Sequence, residues 1–401
     1  MKKQFNQHIV IGSLSASVLL ASLGTSMANI VLPAISLDFG VSFSEAKWVV
    51  LSYLIVTTAF SLIVGRIGDL KGRRTTLVLG TIFFVIGALM SASSSSFALL
   101  IFARIVQGIG GASLIVLPIA IVTNVISKEK TGRIIGLLAT TSAIGTATGP
   151  SLGGFLLGVQ GWRIPFFLVA ALGFLNLLLV LFFVPSDVIS AAERQKSSAL
   201  IDMLTSIYGD ASLRTHLLSN SAVSAVMMST LIGGPFYLTR VLKVAPVEMG
   251  LVMSAGPITS ILFGVFSGVL VDRFGLPSIL KFAFIQLLIG ASAFVFLPSL
   301  LGAVGFAFSA VCLSFGYQMF LSANSSCIMK NVEEDRRGLI SGALSLSRNL
   351  GLMGGTLIMG SIFEVFGLQI VFLVAAILIA LMFFVHLKIQ KRRIYETRFT
   401  R

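Results

Sequence analysis

Twelve long stretches of apolar residues, joined mostly by short polar connections, make up most of this chain. They lie at about 9–32, 46–68, 75–95, 97–125, 131–158, 162–185, 214–238, 248–271, 278–298, 300–326, 338–362 and 366–388. Each is close to the ~20 residues with which a helix crosses the ~30 Å hydrocarbon core of a bilayer. With 56% hydrophobic and 11% charged residues, a water-soluble fold could not bury so much apolar surface. The sequence predicts an all-α membrane protein with twelve transmembrane helices.

The positive charges indicate how such a chain is oriented. With both termini placed in the cytoplasm, only Lys47, Arg163, Arg240 and Lys243 fall outside, and Arg104 and Arg348 fall within spans. Since cytoplasmic loops of membrane proteins are enriched in lysine and arginine, this predicts a multi-pass protein of the cytoplasmic membrane with both termini inside. The net charge of +14 is therefore explained without nucleic acid, and the basic C-terminal run is expected to contact lipid headgroups.

Other functional classes find little support in the sequence. Two cysteines 15 residues apart in one apolar segment and three scattered histidines give no pattern of metal ligands, so no metal or cofactor is expected. Strings of the G-x-S-x-G, H-E-x-x-H or Walker A type are absent from the sequence, which disfavours an enzyme and ATP as the energy source. A membrane receptor is disfavoured too, because the chain contains no large soluble signalling domain.

The two halves of the chain resemble each other. Gly65, Asp69 and Gly72 recur 203 residues later as Gly268, Asp272 and Gly275. Six more glycines recur at an offset of 206, from Gly132 to Gly161 and from Gly338 to Gly367. We therefore predict two pseudo-symmetric six-helix halves, 1–185 and 214–388, joined by a cytoplasmic linker at 186–213 and followed by a basic tail at 389–401. Repeats of this kind build transporters that alternate access to a central site.

The second span ends in a string that resembles a family signature. It reads Gly65-Arg66-Ile67-Gly68-Asp69-Leu70-Lys71-Gly72-Arg73-Arg74 and is similar to the G-x-L-x-D-R-x-G-R-[KR] motif of the major facilitator superfamily, with Ile67 and Leu70 as departures. The resemblance implies a gate in which Asp69 engages the N-terminus of the eleventh span near Gly338. The alternative is a plain turn carrying positive charges. The gating residues predicted in this way are Gly65, Asp69, Gly72, Arg73 and Asp272.

The fifth span carries the most specific functional signal. Gly145, Gly149, Pro150, Gly153 and Gly154 form the string G-x-x-x-G-P-x-x-G-G, which resembles the motif of antiporters and exporters in the superfamily. The spacing places a bare stripe on one helix face and allows a bend at the proline. We expect this stripe to pack on the eighth span at Gly264 and Gly268. The motif favours export over uptake, although glycine stripes also serve simple packing in many membrane helices.

Two arginines lie within predicted spans. Arg104, with Gln107, resembles the superfamily's motif in the fourth span, and a charge at that depth needs partners inside the protein. Helix 1 offers Ser22, Thr25, Ser26 and Asn29 as such partners. Arg348, followed by Asn349, is expected near mid-membrane in the eleventh span. Each arginine either only links helices or belongs to a coupling site or substrate cavity, whose predicted members are Asn29, Arg104, Gln107, Arg348 and Asn349. Two cavity arginines would favour an anionic or neutral substrate.

The first span departs from the pattern of drug/proton exporters. Leu23 to Pro33 is similar to their L-D-x-T-x-x-N-x-A-L-P motif, but Gly24 stands where the motif has its aspartate. All fifteen acids fall in loops, tails or helix ends, whereas proton coupling usually calls for a protonatable group within the membrane. The remaining candidates for that role are Asp69, Glu45, Glu248, Glu364 and His216.

These features together predict a secondary transporter. The resemblance implies a major facilitator fold and the export of drugs or amphipathic small molecules by alternating access, with protons as the exchanged ion. The alternative is a facilitator or importer of a small nutrient or metabolite that does not exchange protons, which the missing helix 1 acid favours. We expect the protein to act as a monomer on small-molecule substrates.

Overall fold

The computed structural model describes residues 7–125, 128–185, 210–330, 332 and 337–399, and all regular structure in this part of the chain is helical. The helices are α1 (Gln7–Asp38), α2 (Phe43–Ala46), α3 (Trp48–Lys71), α4 (Arg73–Ala92), α5 (Phe97–Val125), α6 (Lys128–Gln160), α7 (Arg163–Phe183), α8 (Ala211–Phe236), α9 (Pro246–Phe274), α10 (Leu276–Met329), α11 (Arg337–Gly354) and α12 (Gly360–Phe399). Short π-helical turns follow α8 at Tyr237–Val241 and α11 at Gly355–Met359.

These helices coincide with the predicted apolar spans. Among the described residues, eight helical segments are long and apolar enough to cross a membrane, or nine if the bent segment Phe43–Lys71 is one span. The ninth and tenth predicted spans lie in the single helix α10, which non-helical backbone at Gly302 divides. In the same way, Gly367 divides α12, so the predicted eleventh and twelfth spans meet inside it. The all-helical membrane fold is confirmed.

Matched glycines of the two halves adopt matched backbone conformations. Gly72 separates α3 from α4 with φ 98°, and Gly275 separates α9 from α10 with φ 79°. Gly161 and Gly367 form a second pair, with φ of 87° and 80°. Left-handed backbone of this kind is costly for residues with a Cβ atom, which explains why glycine occupies both members of each pair.

The chain forms two compact units. The first consists of Met1–Lys196 together with Leu238–Pro257, and the second of Ser197–Tyr237 together with Ile258–Arg401. The start of α9 thus belongs to the first unit and its remainder to the second. Most of the predicted linker, 186–209, lies outside the described residues, and the helical backbone of α12 extends into the predicted tail as far as Phe399.

Small residues allow close helix packing within each unit. In the first unit, α4 packs on α5 where Gly110 faces the backbone of Phe84. In the second unit, α11 packs on α8 where Gly351 faces the backbone of Ser221. A Cβ atom at either glycine would meet main-chain atoms, which no rotamer change can relieve. Close backbone approach of this kind replaces the hydrophobic drive that lipid-exposed helices lack.

Candidate functional site

Arg104 lies in a closed polar cluster of the first unit. Its side chain is fully buried, although it carries a charge at membrane depth. Nε donates to the carbonyl oxygen of Val49 at 2.9 Å, and Nη1 donates to Oε1 of Gln107. The guanidinium lies over the ring of Tyr53, 4.5 Å from its centroid, with the ring of Phe166 at 5.7 Å. Hydrogen bonds and cation–π contacts together offset the cost of removing the charge from water.

The predicted partners of Arg104 on helix 1 were wrong. Nε and Nη1 of Arg104 bond to α3 and to the next turn of α5, while Ser26 donates to the backbone of α1 and to the carbonyl oxygen of Gly145. Sequence alone could not show this, since which neighbour a helix face meets depends on tertiary packing. Arg104 and Gln107 are brought together as predicted, because residues three apart share a helix face.

The cluster leaves several polar atoms without partners. In the part of the chain that the structure describes, Nη2 of Arg104, Nε2 of Gln107 and Oδ1 of Asn29 are buried and make no hydrogen bond. A Cβ atom at Gly24 would lie 3.7 Å from Nε2 of Gln107. Gly24 is the position where the resembling exporters carry aspartate, so the missing carboxylate would have lain beside the unpaired Nε2 of Gln107. Buried unpaired donors are costly, and they mark this cluster as functionally interesting.

The glycine stripe of α6 packs on α1. Gly149 lies against the hydroxyl of Ser26, and Cβ atoms at Gly145 and Gly153 would lie 2.6 Å from the Leu19 carbonyl oxygen and the Ile30 side chain, respectively. The same face of α11 packs on α8 in the second unit, as the repeat requires. The expectation that this stripe faces the eighth span was therefore wrong.

Another part of α6 does contact the eighth span, at the start of α9. We call this contact between residues 150–158 of α6 and 246–254 of α9 the glycine seam. A Cβ atom at Gly154 would lie 2.6 Å from the Pro246 carbonyl oxygen and 2.8 Å from Cα of Gly250. The hydroxyls of Ser151 and Ser254 lie 2.5 Å apart. The predicted pairing with Gly264 was wrong, because Gly264 faces Gln318 of α10.

The predicted gating motif forms a turn held by an ion pair. Asp69 accepts hydrogen bonds from Nε and Nη2 of Arg73 at 3.1 and 3.0 Å. Nη1 of Arg73 donates to the Ala120 carbonyl oxygen at 2.6 Å, which ties the turn to α5. Gly72 provides the left-handed backbone, and a Cβ atom at Gly65 would lie 3.9 Å from Val116. The side chain of the repeat-related Asp272 lies outside the described part of the structure.

Arg348 is not buried as the sequence suggested. Its side chain is exposed and that of Asn349 is half-buried, whereas Ser347 beside them is buried against α8. Ser347 accepts a hydrogen bond from Nδ2 of Asn220 at 2.7 Å and its carbonyl oxygen accepts one from Ser221 at 2.6 Å. Helix periodicity explains the difference, since successive residues point about 100° apart and only one of them can face the core.

Sequence reasoning missed one pair of titratable side chains, the half-buried His216 and the buried His386. His216 of α8 was a candidate for proton coupling, but nothing in the sequence connected it to His386, which lies 170 residues later on α12. The two rings meet in the second unit, with their centroids 4.8 Å apart. Their only sequence signal is that both are polar positions within apolar segments.

The protein thus consists of two helical units, each with polar side chains buried within apolar helices, as expected of a polytopic transporter. The sequence pattern of the Major Facilitator Superfamily matches residues 14–356. The chain belongs to the major facilitator superfamily, and it is a transporter rather than an enzyme.

The relatives of this chain include both a vitamin transporter and a multidrug resistance protein. The chain is 27% identical to the riboflavin transporter RibZ of Clostridioides difficile, over 88% of each protein. It is 35% identical to the multidrug resistance protein Stp of Mycobacterium tuberculosis, over 43% of this chain and 32% of that protein. Its fold superposes on the crystal structure of a D-xylose–proton symporter with a TM-score of 0.80 at 15% identity, covering 94% of this chain and 97% of that one.

Proposed function

We propose that this transporter exports drugs or amphipathic small molecules across the cytoplasmic membrane in exchange for protons. The glycine seam between α6 and α9 carries the proposal. Its residues Pro150 to Gly154 belong to the G-x-x-x-G-P-x-x-G-G string that resembles the exporter motif of the superfamily, and Gly154 lies where the two backbones touch. The similarity of 174 residues to a multidrug resistance protein also supports export.

Alternating access gives the seam a mechanical role. The start of α9 packs on α6 in the first unit, while the rest of α9 belongs to the second. If the two halves rock against each other around the substrate site, this contact is made in one state and separated in the other. Bare glycine surfaces make tight contact without interlocking side chains, so they can part at little cost. We propose that the seam seals one entrance to the substrate site.

The turn after α3, whose sequence resembles the superfamily signature, supplies the other half of this scheme. We propose that Asp69, paired here with Arg73, engages the N-terminus of α11 near Gly338 in the outward-open state. Asp272 would act in the matching loop of the second half. The halves 1–185 and 214–388 would move as a monomer, with both termini and the 186–213 linker in the cytoplasm and the 389–401 tail on lipid headgroups.

Uptake or facilitated diffusion of a nutrient is the second candidate. Gly24 in place of an acid leaves the Arg104–Gln107 cluster without a deep carboxylate, which is the usual seat of an exchanged proton. The similarity to a riboflavin transporter also favours this reading.

Transport in proteoliposomes distinguishes the two functions. Purified protein is reconstituted with a pH-sensitive dye inside, a proton gradient is imposed, and neutral riboflavin, cationic ethidium and an anionic dye are added in turn. Antiport predicts proton movement triggered by at least one compound and lost in Asp69→Asn. Asp38→Asn, which removes a carboxylate from another aspartate–arginine pair, is the matched control and should retain activity. Compound flux without any proton movement would replace antiport by facilitated transport.

A further inference from the structure

His216, which is half-buried, and His386, which is buried, form a pair inside membrane-spanning helices. His216 lies in the candidate span Ala211–Val241 and His386 in the candidate span Ile340–Lys388. Their rings meet edge to face with an interplanar angle of 83°, and His386 is 6% exposed. Phe284 of α10 packs on His386 with ring centroids 5.2 Å apart. Ionisable side chains are expensive within a membrane, so a pair of them requires a reason.

The hydrogen bonds define which ring nitrogens carry protons. Nδ2 of Asn324 donates to the His216 carbonyl oxygen, which orients the amide so that its Oδ1 lies 2.7 Å from Nδ1 of His216. An amide oxygen only accepts, so Nδ1 of His216 bears the hydrogen. Nε2 of His386, 3.4 Å from that same nitrogen, must then present its lone pair. Nδ1 of His386 bears the second ring's hydrogen and faces two acceptors, the Met382 carbonyl oxygen at 3.3 Å and the hydroxyl oxygen of Ser219 at 3.4 Å.

This arrangement accepts one proton and resists a second. A proton added at Nε2 of His216 leaves the hydrogen bond from Nδ1 to Oδ1 of Asn324 in place, and the new positive charge is stabilised by that oxygen and by the lone pair of His386. A further proton on Nε2 of His386 would point one N–H at another across 3.4 Å. It would also place two like charges on rings 4.8 Å apart. The pair therefore titrates as a single unit.

Charged groups also lie in the turns around the pair on each neighbouring element. Asp210 at the start of α8 accepts from the backbone N–H groups of Ser212 and Leu213. The apolar residues Leu213 and Leu217 flank His216 on α8 and belong to a buried cluster with Ile328 of α10. In the part of the chain that the structure describes, the other charged or titratable groups near the pair along these helices are Arg214 on α8, Lys281, Cys327 and Lys330 on α10, Arg348 on α11 and Lys388 on α12.

We infer that the His216–His386 pair is the site at which this transporter binds the proton that it exchanges for substrate. The inference rests on the proposed antiport. Histidine changes charge near neutral pH, whereas the buried Arg104 stays protonated at any ordinary pH. Binding on one side of the membrane places the proton at Nε2 of His216, and release on the other side restores the neutral pair, so one proton moves per cycle.

Proton binding can be measured without knowing the substrate. The chain has three histidines, so ¹⁵N-histidine labelling of the full protein in micelles gives three sets of ring signals. Between about pH 9 and 5 we expect His216 to become a cation while His386 stays neutral with its hydrogen on Nδ1. The third set of signals comes from His8, at the exposed start of α1. Two cationic rings at the same pH, or two rings that never change, would overturn the inference.

Flux measurements connect this proton to transport. In His216→Asn and His386→Asn, compound-driven proton movement should fall at least tenfold, while exchange of riboflavin for riboflavin, which moves no net proton, should continue. His8→Asn is the matched control and should behave like the natural protein. Proton movement within twofold of normal in both variants refutes the pair as the site, and so does the loss of riboflavin exchange together with proton movement. Absence of proton movement in the natural protein would instead reject the proposed antiport.

Discussion

Gly154→Ala tests the glycine seam directly. The added Cβ atom would lie 2.6 Å from the Pro246 carbonyl oxygen, and ordinary contact begins at 3.4 Å, so α6 and α9 must separate by 0.8 Å, the difference of the two distances. Both neighbours are main-chain atoms, so a rotamer change cannot relieve the clash. Overpacking of this kind costs typically 1–3 kcal/mol, which disfavours the packed state by about 5- to 150-fold.

Gly136→Ala is the matched control, because it lies in the same helix and its added Cβ atom would meet nothing within 4 Å. Both variants gain the same helix propensity, which cancels in the comparison. Spin labels at Val159 on α6 and Leu251 on α9, both 62% exposed, report the separation of the helices by pulsed electron resonance. Gly154→Ala should shift the distance distribution towards longer values. A distribution identical to that of Gly136→Ala would refute a tight, state-dependent seam.

Three further predictions concern stability. Arg104→Lys should lower the free energy of unfolding by ~3 kcal/mol in a thermal melt, because lysine has fewer donors and leaves the buried Val49 carbonyl oxygen without its hydrogen bond. Arg163→Lys, in the half-exposed pair with Asp38, should cost under ~1 kcal/mol. Gly72→Ala and Gly275→Ala should each cost about 1–2 kcal/mol, since both positions have left-handed backbone; unequal melting shifts would contradict their structural equivalence. Hydrogen bonds from the backbone and side chain of Ser42 lower the pKa of the Glu45 carboxyl below its ordinary 4.5. The ionised carboxylate therefore stabilises the folded protein above pH 4.5, and this contribution is lost as the pH falls through the lowered pKa. Melting curves from pH 6 to 3 should show this acid loss in the natural protein and a smaller one in Glu45→Gln.

The helical membrane fold was predictable because the bilayer imposes it locally. Long apolar segments must become helices to satisfy their backbone groups, and this follows from composition and length alone. The repeat was equally visible, since Gly72 and Gly275 must provide the same backbone in both halves. The turn after α3 was located for the same reason, and its Asp69–Arg73 ion pair agrees with i, i+4 spacing; a gating role for it stays a prediction.

Interhelical partners were not predictable in the same way. Helix periodicity gives the face on which a residue lies but not the helix that covers that face. Arg104 was therefore expected to bond to helix 1 and instead bonds to Val49 of α3, while the stripe at Gly149 packs on α1 rather than on the eighth span.

The sequence by itself determined the membrane environment, the two-fold repeat and the superfamily motifs, because each depends on residues close together in the chain or at a constant offset. Only the tertiary structure decided that Gly154 touches Gly250 and that His216 meets His386. These contacts join residues about 100 and 170 positions apart, as their numbering shows, and depend on how whole helices pack. For that reason the proposed proton site could be recognised only in the tertiary structure, because the sequence shows both histidines but not that they are in contact.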